Sequence, residues 1–415
     1  MTSSVGPLLV ACTLAGLLLG TDAWADATQQ ASTSPEAPAF TLRGFGTLGA
    51  VRSSSNQAEF IRDLSQPGGS AGRWTAKTDS LVGLQGNYRF SERFEGVAQV
   101  VSRYGNEGNF DPEVMWAFAK FDPNAHLSLR IGRLGTDFFM LADSRLVGYS
   151  YLPVRPPGDY FGTLPFQHLD GIDGAATAEL GNGLLRAKLF NGMLDGELPS
   201  IGRQWNLRGS RMSGGNIDYQ SGDWLWRLGY AQIRFRNNIR IDELLAILDQ
   251  GVALGLPGAT TVADALSISG KLAKLYSGGI VYDRGPFQFQ LMLSTIRQQA
   301  VFEDMRAGYA IASYRFGHWT PFAGYSQARS TTKRLPASGL GPAMDATIAS
   351  VRAGGHTDQS TASVGLRWDF AANMALKAQY DAIRGTAESI FPYQRVTPEW
   401  NGRTKVLSLA LDFVF

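Results

Sequence analysis

The sequence ends in Lys405-Val-Leu-Ser-Leu-Ala-Leu-Asp-Phe-Val-Phe415, and these eleven residues decide the fold class. Every second residue from Leu407 to Phe415 is leucine or phenylalanine, whereas most residues between them are smaller or polar. This period of two is typical of a β-strand, because successive strand side chains point to opposite faces. One tilted strand crosses a bilayer with about 9–11 residues. The segment therefore favours a membrane strand, although the last strand of a soluble β-sandwich could alternate in the same way.

The N-terminus carries the features of an export signal. The apolar stretch Pro7–Gly20 is followed by Ala23-Trp24-Ala25, an Ala-x-Ala pattern that predicts signal-peptidase cleavage after the second alanine. We predict a signal peptide over residues 1–25 and a short polar leader over residues 26–38. A lipoprotein box at Leu9–Cys12 is an alternative interpretation, but it would leave the later cleavage pattern unused.

Composition excludes several classes of protein. Cys12 is the only cysteine and lies in the predicted signal peptide, so the mature chain is expected to hold no disulfide and no cysteine-based metal site. The 38 Lys and Arg residues barely exceed the 36 Asp and Glu residues, which argues against nucleic-acid binding. After the signal region no apolar run approaches the roughly 18 residues of a spanning helix, which excludes a helical inner-membrane transporter. A barrel fits because lipid-facing and water-facing residues alternate along its strands.

Two segments are predicted to be β-hairpins. Leu81–Arg103 alternates apolar and polar residues on both sides of a Ser-Glu-Arg turn, and Ser363–Asp381 repeats this pattern around residues 371–374. Charges on one face and apolar groups on the other favour a wet lumen and a lipid-facing exterior over a dry sandwich core. An interfacial aromatic girdle is expected near the strand ends, at Tyr88, Phe90, Trp368, Phe370, Phe413 and Phe415.

Short turns alternate with long polar segments along the chain. The turns are 181–183, 221–223, 284–286 and 317–318. The long segments are 52–79, 105–111, 135–170, 193–208, 236–270, 331–360 and 387–402. Short turns at one rim and long extracellular loops at the other are typical of outer-membrane barrels. We predict an all-β fold for residues 39–415, a transmembrane antiparallel β-barrel of about sixteen strands, wide enough for an aqueous channel.

One stretch of the long segment 236–270 departs from strand periodicity. Ile241, Leu244, Leu245 and Leu248 recur at helical spacing. A short amphipathic helix over residues 241–250, in an external loop, is the expected structure.

Several motifs together resemble the trimeric porins of Gram-negative bacteria. They are Gly44-Phe45-Gly46, Ser80–Gly86, Arg130–Arg133, the hairpin Ser363–Phe370 with Ala375–Asp381, and the closing aromatic strand. The resemblance implies a sixteen-stranded homotrimer in the lipid of the cell outer membrane and passive diffusion of small hydrophilic solutes and ions. It implies no bound cofactor. In such barrels the closing aromatic resembles a signal for the outer-membrane assembly machinery, a role that we assign to Phe413 and Phe415.

The resemblance also implies where selectivity would be made. In such porins the loop after the fifth strand folds inward and narrows the lumen, and here that loop runs from about Leu134 to Asp170. Its charged residues are the candidate constriction: Asp137, Asp143, Arg145, Arg155 and Asp159. Better-known porins have a Pro-Glu-Phe-Gly-like motif in this region, whereas this chain has Arg155–Gly162 there. The candidate constriction residues are therefore not assigned from that motif.

The predicted barrel wall opposite the loop carries polar and cationic side chains. On the phase of the alternation, Arg43, Gln85, Gln99 and Arg130 face the lumen. A cationic wall opposite loop carboxylates would create a transverse field that sorts ions by sign. Ordinary pairing on a wet wall is the alternative for these residues, and it is the favoured interpretation for Arg367, Lys377 and Asp381.

Enzymatic chemistry finds little support in the sequence. His126, His168, His318 and His356 are scattered, and none sits in a nucleophile motif or at metal-ligand spacing. A purely structural barrel would be expected to carry an added globular domain. The prediction is a non-enzymatic channel, with a substrate-selective outer-membrane channel as the alternative to a general diffusion pore.

Overall fold

The computed structural model describes residues 39–137, 139–140, 142, 144–162, 166–200, 203–299, 303–331, 334–389 and 393–415. The predicted signal peptide, the polar leader and the candidate residue Asp143 lie outside the described residues.

Sixteen antiparallel strands close into one barrel, in which the first strand pairs with the last. The strands are β1 (Phe40–Ser53), β2 (Leu81–Arg89), β3 (Phe94–Arg103), β4 (Pro112–Asn124), β5 (Leu127–Gly135), β6 (His168–Leu180), β7 (Gly183–Met193), β8 (Arg211–Ser221), β9 (Trp224–Arg234), β10 (Leu272–Arg284), β11 (Phe287–Gln298), β12 (Asp304–Tyr314), β13 (Trp319–Thr331), β14 (Asp358–Ala371), β15 (Met374–Gly385) and β16 (Arg403–Val414). Small two-stranded sheets join residues 59–60 with 393–394 and 197–200 with 203–206. The predicted strand number and the all-β class are confirmed.

Alternation along the strands gives the barrel an apolar outer surface. In β16, Leu407 and Leu409 are 43% and 44% exposed, whereas Ser408 and Asp412 on the opposite face are fully buried. Since large apolar side chains cover the outside of every sector, the outer surface suits a lipid environment. The predicted girdle residues lie at the short-turn rim, where Trp319 and Trp368 stack with ring centroids 4.9 Å apart.

Two aromatic rings seal the junction between the first and last strands. The backbone N–H of Gly44 donates to the carbonyl of Phe415 at 2.8 Å, and the Phe415 N–H donates back to Gly44 at 2.9 Å. The ring of Phe415 lies over Gly44, where an added Cβ would come within 2.1 Å of the ring, and Phe413 lies over Gly46 in the same way. The two glycines of the Gly-Phe-Gly motif in β1 therefore leave the space in which these rings pack at the closure.

The strand connections differ sharply between the two rims. Tight turns with Gly181, Gly222 and Gly285 in the left-handed region (φ of 58°, 55° and 58°) join strand pairs at one rim. At the other rim the long connections match the predicted long segments, and a further connection between β11 and β12 is short. Among the described residues, no helix has the length and apolar character needed to span a membrane.

Helices occupy three of these connections. They are α1 (Gly158–Phe161), α2 (Asp242–Ala253), α3 (Pro257–Leu266) and α4 (Pro342–Ala353). The predicted helix at 241–250 corresponds to α2. The sequence analysis did not anticipate α3 and α4. Leu248, Val262 and Leu266 are fully buried where α2 and α3 meet the loop that carries α4.

The closure suggests a test of the terminal aromatic residue. Deleting Phe415 should lower the amount of assembled barrel in the membrane fraction, because it removes the last backbone pair with Gly44 and the ring above it. The measurement is the fraction of protein with heat-modifiable gel mobility. Phe370→Ala is the matched control, since Phe370 is also an exposed rim aromatic but pairs with no terminus. Equal losses in both variants would contradict a special role for the C-terminus.

Candidate pore constriction

The connection between β5 and β6 folds into the barrel lumen. Its Gly148–Ser150 turn lies against β1 and β16, and α1 lies against β12, β13 and β14. The described part of this inner loop therefore reaches strands on distant sides of the wall. It is bound there by residues on the inner face of the wall, such as the buried Lys377, so the loop expected to narrow the lumen does lie within it.

A buried lysine fixes the middle of the inner loop. Lys377 on β15 donates from Nζ to the carbonyls of Gly148 and Pro153 at 2.7 and 3.1 Å, and it pairs with Asp412 at 2.9 Å. An added Cβ on Gly148 would come within 2.1 Å of the Asp412 carboxylate and 2.4 Å of the Thr47 hydroxyl. The loop can approach the wall this closely only because residue 148 is glycine.

Arg155 forms the centre of a second buried ion cluster. Its guanidinium donates to both carboxylate oxygens of Asp79 at 3.1 and 2.7 Å and to Asp381 on β15 at 3.2 Å. Arg62 approaches the same Asp79 at 3.4 Å. Burial alone would lower the pKa of Arg155, but the attraction and hydrogen bonds of Asp79, together with the attraction of Asp381, outweigh burial and raise it. The guanidinium is 2% exposed and is held between a second loop and the wall.

Asp137 anchors the start of the inner loop to the opposite side of the wall. Its carboxylate pairs with Lys188 on β7 at 3.1 Å and with Arg227 on β9 at 2.9 Å. Lys188 also pairs with Asp173 at 3.3 Å, and Arg227 pairs with Asp218 at 2.5 Å. Burial would raise the pKa of Asp137, but Lys188 and Arg227 outweigh it and hold the pKa well below its usual range.

Asp159 in α1 has only neutral hydrogen-bond partners among the described residues. Ser326 donates to one carboxylate oxygen at 2.6 Å, and Gln359 donates to the other at 2.5 Å. Burial raises the pKa of Asp159, and these hydrogen bonds offset that effect only in part. Asp137 and Asp159 therefore lie in electrostatically opposite surroundings, although they belong to one loop.

Arg145 lies in a cluster of cations. It donates to the side chain of Gln167 at 2.7 Å. Burial, together with the nearby charges of Arg103 and Arg62, lowers the pKa of Arg145 to about 10, against the attraction of Asp63. The guanidinium remains charged at neutral pH, but it is held at an electrostatic cost.

Aromatic packing fills the space between the inner loop and one sector of the wall. The ring centroids of Phe139 and Tyr160 are 4.8 Å apart, and Tyr160 meets Tyr309 on β12 at 5.1 Å. Met292 and Phe322 on the neighbouring strands are buried in the same apolar cluster. Apolar side chains therefore take many inward positions of β10–β13 and pack against the loop, interspersed with polar residues such as Ser326, so this sector is less polar than the lining expected of a wet lumen.

The structure places all four predicted wall residues on the inner face of the barrel. Arg43, Gln85 and Gln99 are cross-strand neighbours, and Gln99 donates to Gln85 at 2.9 Å. Arg130 donates from Nε to Asp173 at 2.9 Å. Asp137 is faced by Lys188 and Arg227 instead. The predicted transverse field placed Arg43 and Arg130 opposite the loop carboxylates. In the structure the cations that contact Asp137 are other residues of the wall.

The four described constriction candidates share one property. Asp137, Arg145, Arg155 and Asp159 are all between 2% and 5% exposed. Asp137, Arg155 and Asp159 attach the loop to the wall, whereas the side chain of Arg145 bonds within the loop. Arg367, Lys377 and Asp381, for which ordinary pairing was favoured, make part of that attachment.

The sequence analysis missed the residues that bind the loop. They are Arg62, Asp79, Lys188, Arg227 and Asp412. Extending the inward phase of the alternation to β7, β9 and β16 would have placed Lys188, Arg227 and Asp412 on the inner face. Their partners could not be paired in this way, because a loop has no fixed period.

Comparison with known proteins finds a likeness in fold and none in sequence. No family model matches the chain, and no curated protein matches it. The chain shares its fold with an OmpF of Salmonella typhi in complex with daunomycin (TM-score 0.54, 12% identity, 91% of this chain and 97% of that chain). It is similar to an anion-selective porin from Comamonas acidovorans (TM-score 0.52, 13% identity, 91% and 99%). It is also similar to the trimer form of the outer membrane protein OmpT of Vibrio cholerae (TM-score 0.52, 14% identity, 91% and 100%). At these identities the likeness shows the porin-type barrel fold.

The ion cluster around Arg155 yields a stability prediction. Arg155→Gln should lower the free energy of unfolding by about 3–5 kcal/mol, because Asp79 and Asp381 would stay buried without their cation. Arg208→Gln is the control: the Arg208 side chain is 71% exposed in its pair with Asp195, and its loss should cost about 0–1 kcal/mol. The measurement is the urea midpoint of the folded barrel together with protease cleavage of the inner loop. Equal, small effects would show that the loop is held by other contacts.

The two loop carboxylates predict opposite dependences of stability on pH. The pKa of Asp137 is lowered in the fold, so its contribution is present above the unfolded pKa and is lost as pH falls through the folded value. The pKa of Asp159 is raised, so its contribution is present at low pH and is lost as pH rises through the folded value.

Substitution by asparagine separates these two effects. At neutral pH Asp137→Asn should lower the urea midpoint, whereas Asp159→Asn should raise it relative to the parent protein. The advantage of Asp159→Asn should disappear in acid, where the parent carboxyl group is also neutral. A lower midpoint for both variants at neutral pH would contradict the assignment.

Proposed function

We propose that this chain is an outer-membrane porin that lets small hydrophilic solutes and ions diffuse passively through its lumen. One observation carries the proposal: a closed sixteen-stranded barrel holds a loop that is attached inside it by paired charges. A structural anchor has no need of an internal loop fixed to distant sides of its wall. In a channel such a loop sets the width and polarity of the path.

The membrane placement follows from the outer surface of the barrel. Exposed leucine and aromatic side chains face outward on its strands, as a lipid environment requires. The predicted signal peptide at 1–25 supports export, and the long-loop rim would then be extracellular. We further propose a homotrimer, which the trimer form of a similar barrel supports.

The proposed activity is non-enzymatic and uses no cofactor. Among the described residues no group of three or more His, Cys, Asp or Glu side chains is arranged to hold a metal ion. Ser330, His356 and Glu303 do meet at the long-loop rim, so a nucleophilic triad has to be considered. The Ser330 hydroxyl and the Glu303 carboxylate both approach Nδ1 of His356, at 3.2 and 2.7 Å. A triad would need the serine at the other ring nitrogen, so we assign this cluster no catalytic role.

A substrate-selective channel is the second candidate, and the packing of the inner loop favours it. All four described charged candidates are buried, helices α2 and α3 pack together, and Ile348 of α4 is buried in the same apolar cluster. A narrow path would discriminate among solutes more than a wide diffusion pore. Swelling of protein-loaded liposomes in sugars of increasing size separates the two: a smooth decline with size indicates general diffusion, and rapid entry of one class indicates selectivity.

Planar-bilayer recording of the purified chain tests the channel itself. We expect discrete conductance steps, grouped in threes if the barrel is a trimer. Lys377→Met should raise the conductance and its noise, because the lysine that holds three loop carbonyls is lost. Lys120→Met is the control, since Lys120 pairs with Asp122 away from the loop. Folded, heat-modifiable protein without conductance steps would overturn the channel and favour a structural barrel.

A further inference from the structure

Six basic residues follow one another on consecutive strands at the long-loop rim. They form what we call the basic belt: Arg211, Arg234, Lys274, Arg297, Arg306 and Arg329, one on each strand from β8 to β13. The belt lies outside the lumen described above, and the channel function gives it no role.

Strand alternation places the belt on the lipid-facing surface. Arg234 has the same phase as Leu228, which is 67% exposed, and Arg297 has the same phase as Leu293, which is 58% exposed. The neighbouring positions of opposite phase, such as Ile233, are buried. These basic side chains therefore point outward, on the same face as the apolar residues that contact lipid.

The belt residues oppose one another across the strands. Arg211 is the direct partner of Arg234. Lys274 is the direct partner of Arg297, and Arg306 is the direct partner of Arg329. Like charges directly opposite on one face of a sheet are destabilising. Three such pairs in a row indicate a stabilising anion that the chain itself does not supply. Arg384 and Arg403 repeat the arrangement on β15 and β16.

Acidic partners are scarce around the belt. Arg329 pairs with Asp358 at 3.2 Å, but the other five members make no ion pair with a carboxylate of the described residues. The outward-facing Arg133 on β5 provides a contrast inside the same barrel. It pairs with its cross-strand neighbour Asp170 at 2.7 Å and with Asp195 at 3.0 Å. The chain thus supplies carboxylate partners for the outward arginine on β5, whereas most belt residues have no such partner among the described residues.

The height of the belt on the barrel points to the nature of that partner. Trp224 precedes Arg234 by ten residues, and Trp319 precedes Arg329 by ten residues, with apolar or weakly polar outward positions between. At a rise of about 3.3 Å per residue and a tilt of about 45°, ten residues span about 23 Å along the membrane normal, close to the height of a barrel's apolar band. The belt therefore lies at the level of the headgroups.

We propose that the basic belt binds the phosphate groups of anionic lipids in the leaflet at the long-loop rim. Arginine is suited to phosphate because its planar guanidinium can donate two parallel hydrogen bonds. Bound phosphates would bridge each like-charged pair and remove its repulsion. A second copy of this face is not the partner, because two such belts repel each other. The proposal depends on the membrane placement of the barrel and not on its conductance.

Direct lipid binding tests the proposal. The purified full chain in zwitterionic detergent is titrated with lipid A, which carries two phosphates, and with phosphatidylcholine, whose headgroup has no net charge; bound lipid is counted by native mass spectrometry. The parent chain should bind lipid A about tenfold more tightly than phosphatidylcholine. Added salt should weaken lipid A binding, because screening acts on exposed charges. Equal affinity for both lipids would overturn the proposal.

A charge-neutralising variant and a matched control locate the site. R211Q/R234Q/R297Q/R306Q should bind lipid A about tenfold more weakly than the parent chain. R89Q/R93Q should bind it normally, since both of these exposed arginines lie at the opposite rim. The belt variant should also be more heat-stable than the parent in lipid-free detergent, because its cross-strand repulsion is gone. A merely structural belt would give the opposite stability change.

A variant with two substitutions provides the test if the variant with four substitutions does not fold. R211Q/R234Q removes one like-charged pair and should lose part of the lipid A affinity while keeping heat-modifiable mobility. Unchanged affinity in a folded belt variant would overturn the proposal. Crosslinking of the parent chain through the belt to another copy or to an acidic protein, with no lipid A preference, would overturn it too. Conductance is recorded on the same samples, so a failed channel and a failed lipid site can be told apart.

Discussion

Closure of the sheet on itself is the constraint on which the rest of the structure depends. In lipid no water satisfies a free strand edge, so every backbone N–H and C=O of a spanning strand needs a neighbouring strand. Here β1 and β16 provide that last pairing from Phe45 with Val414 to Ser53 with Val406. The rings of Phe413 and Phe415 pack on glycines of β1 and so complete the seam. Closure also creates the enclosed space into which the inner loop folds.

Inside that space, burial controls the electrostatics. A charge removed from water must be paired, and the inner loop satisfies this condition differently along its length. Asp137 meets two cations and Arg155 meets two carboxylates, whereas Asp159 meets only neutral donors. The loop is therefore strongly fixed at two points and held with an electrostatic penalty at a third. An apolar sector of the wall completes the attachment through aromatic contacts.

On the outside of the barrel a charge also needs a partner, but the surroundings there are lipid. Lipid tails accept leucine and aromatic side chains, and an isolated outward arginine within the apolar band would be costly. The belt arginines lie where the strands leave that band, so their charge can be matched by headgroups. The paired Arg133 and Asp170 show the other solution, in which the chain supplies its own counter-ion. Buried charges inside the barrel are thus paired by the protein, whereas outward charges find their partners either in the chain or, as we propose for the belt, in lipid phosphates.

The sequence by itself determined the membrane strands, their approximate number and the difference between the two rims, whereas the loop that enters the lumen was expected only from the resemblance to trimeric porins. These features are local, because a period of two and a turn are both visible within a few residues. It placed Arg43, Gln85, Gln99 and Arg130 on the inner face for the same reason. Only the tertiary structure decided that Asp137 meets Lys188 and Arg227, that Asp79 meets Arg155, and that aromatic residues of the inner loop pack on Tyr309. Such contacts join residues far apart in the chain through a loop without periodicity, and no local pattern encodes their distance.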